Sequence, residues 1–259
     1  MLIKRLARFI GQHDWFSVAA EILVVIVGLM LAFQIDRWWE QRGENVQERE
    51  YVARLIADVQ SDIPVINSAI ELASLRKEMA DLLMDVAENP SAATKDPVLF
   101  IVAVQQAAFT YSPILAAYTF EDLRSTGNMR LLRDPTIRAA LYGYYNFDRS
   151  QNQYRPLQFM SEGRHFELAA GVLTYEQSRL IQDTWDVVAP GEIDEFDSSH
   201  LDVSEMQATV ERFRSRLDLL AWLPEMRHLQ IDQIIVNEKR LDNSNAVLKI
   251  LMDYATSLD

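Results

Sequence analysis

Few residues in this chain are equipped for chemistry, and two small groups of them share a spacing. Glu162-Gly-Arg-His165 and Glu225-Met-Arg-His228 are both Glu-x-x-His, in two separate segments of helical pattern. On a helix that spacing sets carboxylate and imidazole on one face. Carboxylate-bridged di-iron bundles use it when two further helices each add an inward glutamate. Glu71, Glu78 and Glu121 are the candidates for that role, and none stands alone in an apolar stripe. Arg164 and Arg227 sit beside the histidines and offer ordinary salt bridges to the same glutamates. The residues therefore favour a surface or structural role, with no metal and no cofactor expected, and a di-iron enzyme remains an alternative. The other two histidines are His13 and His200.

Other catalytic signatures are missing. There is no glycine-rich phosphate loop, no Gly-x-Ser-x-Gly elbow and no His-Glu-x-x-His. The chain has no cysteine, which excludes disulfides, thiol nucleophiles and thiolate-bound metals. Glu192, Asp194, Glu195 and Asp197 form an acidic run without the ligand spacing or glycine of a calcium loop, and they read as a solvated loop. Tyr142, Tyr144, Tyr145 and Tyr154, with Tyr118 and Phe120 nearby, read first as core. Their second reading is the lining of a small-molecule pocket. With 38 acidic against 25 basic residues the net charge is −13, so nucleic acid is not an expected partner.

The elements that must carry these residues begin with an apolar stretch, Phe16 to Phe33. With its flanks, Trp15 to Ile35 would make a helix of about 31 Å, the thickness of a bilayer's hydrocarbon core. Trp15 before it and Trp38 and Trp39 after it suit the two membrane interfaces. A cleaved signal peptide would end in an Ala-x-Ala site, and Phe33-Gln34-Ile35-Asp36 has none. The expectation is an uncleaved transmembrane helix over residues 15–39. Residues 1–14 precede it as a basic amphipathic segment whose Lys4, Arg5 and Arg8 would meet an anionic membrane surface. The acidic excess therefore lies in the rest of the chain. Within the span, Glu21, Val25, Gly28, Ala32 and Ile35 share one stripe. Gly28 and Ala32 would let another helix approach closely, and an intramembrane carboxylate usually faces protein. A basic tail this short rarely crosses, so the amino terminus is expected in the cytoplasm and the large domain in the periplasm.

Residues 40–259 read as one all-α bundle of about five to seven helices, with a long kinked helix after the membrane. Val52, Ile56, Val59, Ile63, Ile66, Ile70 and Ala73 alternate spacings of four and three, a heptad seam that Pro64 should kink or restart. The pattern continues through Leu75, Met79, Leu82, Leu83 and Val86. Asp96-Pro97 and Asp134-Pro135 each pair a capping residue with proline at the first helical position. The first opens a short apolar helix, 98–111, suited to a core rather than a second span. A helix near 116–125 should end at Gly127. Pro156 should kink the tyrosine-rich helix. Asp202-Val203-Ser204-Glu205 reads as a capping box, and Pro224 as the start of the terminal helix.

Two blocks carry a resemblance. Glu21-Ile22, Gly28, Ala32, Gln34-Ile35-Asp36, Trp38 or Trp39, Glu40, Arg42, Glu50-Tyr51, Leu55 and Asp58 form the first. Leu123-Arg124-Ser125-Thr126-Gly127, Leu131, Leu132, Asp134 and Tyr144-Tyr145 form the second. Together they resemble an uncharacterised bacterial family of single-span proteins, a domain of unknown function. The resemblance implies the membrane topology and a helical domain, and no catalytic residues. The sequence thus leads to a non-catalytic single-pass protein of the bacterial inner membrane. It would serve as an accessory or scaffolding subunit whose partners are the bilayer and other membrane subunits. A membrane-tethered ligand-binding sensor is the alternative, with little chain before the span to serve as its output domain.

Overall fold

A computed structural model describes residues 15–182 and 203–258. Among them eight α-helices and two 3-10 turns follow one another, and no strand occurs. The first helix, α1 (Trp15–Glu88), holds 74 residues in one run. At 1.5 Å per residue that is about 111 Å. A helix gains most of its stability from whatever covers its apolar face. Over the second half of α1 the cover is the last helix, α8 (Leu217–Ser257). The pair is antiparallel. Glu48 accepts from the Tyr254 hydroxyl, Asp62 and Ser244 meet through Tyr144, and Asp81 pairs with Arg227.

The buried positions of α1 include Val52, Leu55, Val59, Asp62, Ile66, Ala69, Ala73, Arg76, Ala80 and Leu83. Their spacing is the expected heptad, but the seam runs through Leu55, Asp62 and Ala69 instead of Ile56, Ile63 and Ile70. The three isoleucines are half-buried flanks. Reading apolar type alone favours the bulkier flank, because a carboxylate and an alanine do not look like core.

At Pro64 the helix does not restart, and at Pro224 none begins. α1 continues through Pro64, and Pro224 lies inside α8, whose start falls earlier, after Arg216. Each proline is on the exposed side, where the carbonyl that loses its N–H partner is open to water.

The remaining helices pack beside this pair. They are α2 (Pro97–Gln106), α3 (Tyr118–Ser125), α4 (Pro135–Asn152), α5 (Arg155–Ala169), α6 (Tyr175–Gln182) and α7 (Val203–Ser215). Asp96 accepts from Leu99 N–H at 2.9 Å and Asp134 from Thr136 N–H at 2.7 Å, so both aspartate-proline starts hold. Gly127 has φ +73°, the left-handed conformation that ends α3. Pro156 falls in the first turn of a new helix, α5, and α4 ends before it. The capping residue Asp202 lies outside the described residues, as does the acidic run after residue 191.

α2 is core, with Phe100 to Val104 buried, but it stops at Gln106 short of the expected 111. Residues 107–117 run on inside the protein without helix because side chains take over their backbone bonds. Gln230 Nε2 donates to the Ala107 and Phe109 carbonyls. Thr110 N–H donates to Glu162 and Ala116 N–H to Asp62. Tyr145 donates to the Ala116 carbonyl and Arg155 to that of Ser112. Buried backbone of this kind is stable only when such partners exist.

Two apolar clusters result. The one nearer the amino-terminal end of α1 gathers Val52, Leu55, Val59, Phe120, Leu123, Leu132, Leu141, Val247 and Leu251. There Phe120 stacks on Tyr145 at 4.4 Å. The far cluster gathers Met79, Leu83, Phe100, Phe213, Leu219 and Leu223, with Phe100 and Phe213 edge to face at 5.6 Å. Leu123→Ala should lower unfolding stability by about 2–5 kcal/mol. Ile114→Ala, at a position 78% exposed, should change it by less than about 0.5 kcal/mol. Urea unfolding of the detergent-solubilised chain checks both.

Candidate functional site

The residues singled out in the span all lie on one uncovered helix. Glu21, Val25, Gly28, Ala32 and Ile35 are exposed, and a Cβ placed on Gly28 meets nothing within 4 Å. The apolar window of α1 has no residue covered by the other described residues. Among the described residues it is the one helix long and apolar enough to cross a membrane. Trp38 and Trp39 close it, exposed, with their rings edge to face at 5.2 Å. The Arg42 guanidinium lies 5.5 Å from the Trp38 ring centre. Lys4, Arg5 and Arg8 fall outside the described residues, as does the Trp15 side chain.

A second arrangement lies inside the body, between the two apolar clusters. The inward stripe of α8 reads Leu219, Leu223, Met226, then Gln230, Gln233, Asn237, Arg240, Ser244, then Val247 and Leu251. Ten consecutive seam positions are buried, and the middle five are polar. Across from them α1 supplies Asp62 and Arg76, 2% and 3% exposed. Asp62 accepts from the Tyr144 hydroxyl and from Ala116 N–H, both at 2.7 Å. Arg240, 2% exposed, donates through Nε to Asp148 at 3.1 Å and through Nη1 to Asn237 at 2.7 Å. Asp148 also accepts from Asn152 at 2.8 Å. This polar belt escaped the sequence reading, which looked for apolar repeats. The signal that reveals it is an unbroken three-four spacing whose residue type changes for five steps.

Burial sets the protonation of these groups. The Asp62 carboxyl is pushed up to about 6 from its ordinary 3.8, by desolvation first and by Asp58 and Asp148 besides. Tyr144 and Ala116 N–H act the other way. Arg76 is drawn down to about 10 by burial, against the pull of Glu162. The Arg240 guanidinium is also lowered by burial, with Asp148 opposing. His165 is fully buried and held below its ordinary value by desolvation. Its Nε2–H donates to the Val104 carbonyl at 2.8 Å, leaving Nδ1 buried and unpaired.

The Glu-x-x-His pairs part company. Glu162 and His165 both face α2 and the segment after it, where Glu162 accepts from Thr110 N–H and hydroxyl at 2.7 and 2.5 Å. Glu225 and His228 are exposed on α8, as are Glu71 and Glu78 on α1. Glu121 is taken by Arg124 and Arg149. Among the described residues no three of His, Asp and Glu converge as a metal would require. Of the aromatic candidates, Tyr144, Tyr145 and Phe120 are core, while Tyr118, Tyr142 and Tyr154 are exposed.

The two blocks that carry the family resemblance meet in the cluster near the span. Asn128 Nδ2 donates to the Tyr51 hydroxyl at 3.4 Å, Thr119 N–H to Asp58 at 3.1 Å, and Leu55, Leu123 and Leu132 share one core. No family model, curated protein or solved structure matches the chain.

Arg240→Ala would leave the half-buried Asp148 with Asn152 alone and should cost about 1–3 kcal/mol in unfolding stability. Asp62 gives a pH test. The folded chain keeps its proton where the unfolded chain has lost it. Its contribution to stability is thus full below about 3.8 and lost as pH rises through about 6. Asp62→Asn should therefore gain stability relative to the parent chain across that window and hold a constant advantage above it. Paired urea titrations at stepped pH check the sign.

Proposed function

We propose that the chain is a single-pass protein of the bacterial inner membrane and a non-catalytic accessory or scaffolding subunit of a larger membrane complex. The carrying observation is that α1 leaves its apolar part wholly uncovered and then continues, unbroken, into the core of the body. Large apolar surfaces of this kind are met by lipid or protein. A helix without a joint also transmits the position of the span to the body, as suits a subunit that holds another in place. The stripe of Glu21, Gly28 and Ala32 is the face on which a second transmembrane helix would pack. In this reading the body lies in the periplasm and the amino terminus in the cytoplasm, because a long domain that follows a span is translocated largely regardless of its charge. We group the chain with the bacterial family its two blocks resemble.

Gly28→Leu separates the roles. Among the described residues nothing comes within 4 Å of a Cβ built there, so the unfolding midpoint of the body should not move. Native mass measurement after mild-detergent purification should show the parent chain with partner subunits and the variant with fewer. A parent chain that emerges as a lone monomer sinks the proposal. Protease added to spheroplasts should digest the body; protection there, with cleavage in inverted vesicles, would reverse the orientation.

A further inference from the structure

We propose that the polar belt also holds a binding site for a small neutral molecule rich in hydroxyl groups, a sugar or polyol. The site is the cavity between α8 and the junction of α4 with α5. Its volume is about 350 Å³, within the range of small-molecule sites, which runs from about 300 to 1,000 Å³. Tyr154, at its rim, is half exposed and keeps the cavity open to solvent.

Three observations favour a ligand. First, Gln233 lines the cavity, is 5% exposed, and carries a side-chain carbonyl that is buried without a hydrogen-bond partner. Asn237 Nδ2, Asn152 Oδ1 and Arg155 Nε, on the elements that frame it, are also buried and unpaired. Native proteins keep few such atoms, and each calls for an explanation. The unpaired carbonyl of Gln233 in the cavity wall is explained by a partner that enters it.

Second, the lining selects the chemistry. Gln158, Gln233, Ser112, Ser161 and Tyr154 present carboxamides and hydroxyls. Such groups both donate and accept, as the hydroxyls of a sugar do. Leu157 and Leu229 supply apolar wall for the C–H face of a ring.

Third, the charges are already balanced. The guanidinium of Arg240 in the wall is matched by Asp148 at 3.1 Å and has no spare charge for a phosphate or carboxylate. Asp232, also in the lining, would repel an anion, and being exposed it is too well screened to hold an ammonium group alone.

The test uses the full chain in a detergent without a sugar headgroup. Saturation-transfer NMR with glucose, galactose and myo-inositol as probes, and inorganic phosphate and glycine as controls, reads binding. At least one neutral probe should bind saturably. Gln233→Leu should weaken it by about tenfold or more and leave the unfolding midpoint unchanged or higher, since it removes an unpaired buried carbonyl. Gln158→Leu, at a half-buried position, provides the same reading should the first variant fail to fold. Failure of all three neutral probes, binding of phosphate or glycine in their place, or unchanged affinity in the variants would overturn the proposal.

Discussion

The antiparallel pairing of α1 with α8 is the interaction on which the rest of the body depends. α1, like most helices in proteins, draws its stability mainly from what covers its apolar faces and less from its own hydrogen bonds. Beyond the apolar stretch it is held because α8 covers one stripe of it, from Glu48 against Tyr254 to Asp81 against Arg227. Every shorter helix packs against that pair or against a neighbour that does. The carboxylates of α1 reach outward from the same seam to take backbone N–H groups of the segments around them: Glu48 that of Arg133, Asp58 that of Thr119, Asp62 that of Ala116. The long helix is thus both the spine and the capping surface for what surrounds it.

A pair of long helices with apolar seams alone can slip by a heptad at small cost, because each register buries similar surface. The belt from Gln230 to Ser244 removes that freedom. Tyr144 of α4 joins Asp62 of α1 to Ser244 of α8, and Arg240 of α8 meets Asp148 of α4, in one register only. Buried polar groups often cost more than they return in stability, and fixing register is their best-attested use. Here the belt also leaves the Gln233 carbonyl unpaired in the wall of a cavity. That is more polarity than register alone requires.

The all-α class, both aspartate-proline caps, the turn at Gly127 and the uncovered apolar helix were legible in the sequence, because each rests on a local rule. The seam of α1 was legible in its period and misread in its phase: Ile56, Ile63 and Ile70 look like core, whereas Leu55, Asp62 and Ala69 are. What decides between adjacent stripes is where α8 lies, a long-range fact. The same blindness hid the belt, since Asp62 and Arg240 are buried where partners from distant elements reach them. Pro64 does not restart the helix and Pro224 does not begin one, because each ring sits on the solvent side, where a continuing helix tolerates it. Glu162 and His165 illustrate the limit for sites. Their spacing did place them on one face, and that face meets the Thr110 hydroxyl and the Val104 carbonyl, which the spacing alone does not foretell.

The central claim is that one uninterrupted helix passes from the bilayer into the core of the body. The absence of cysteine makes it directly measurable. Single cysteines placed along α1, such as Val25→Cys and Met30→Cys within the apolar stretch and Gln41→Cys and Glu44→Cys beyond it, can be challenged in intact membranes opened to both sides. A water-soluble maleimide should spare the first two and label the last two, with the change falling near Trp38 and Trp39. Equal labelling of all four would contradict the account.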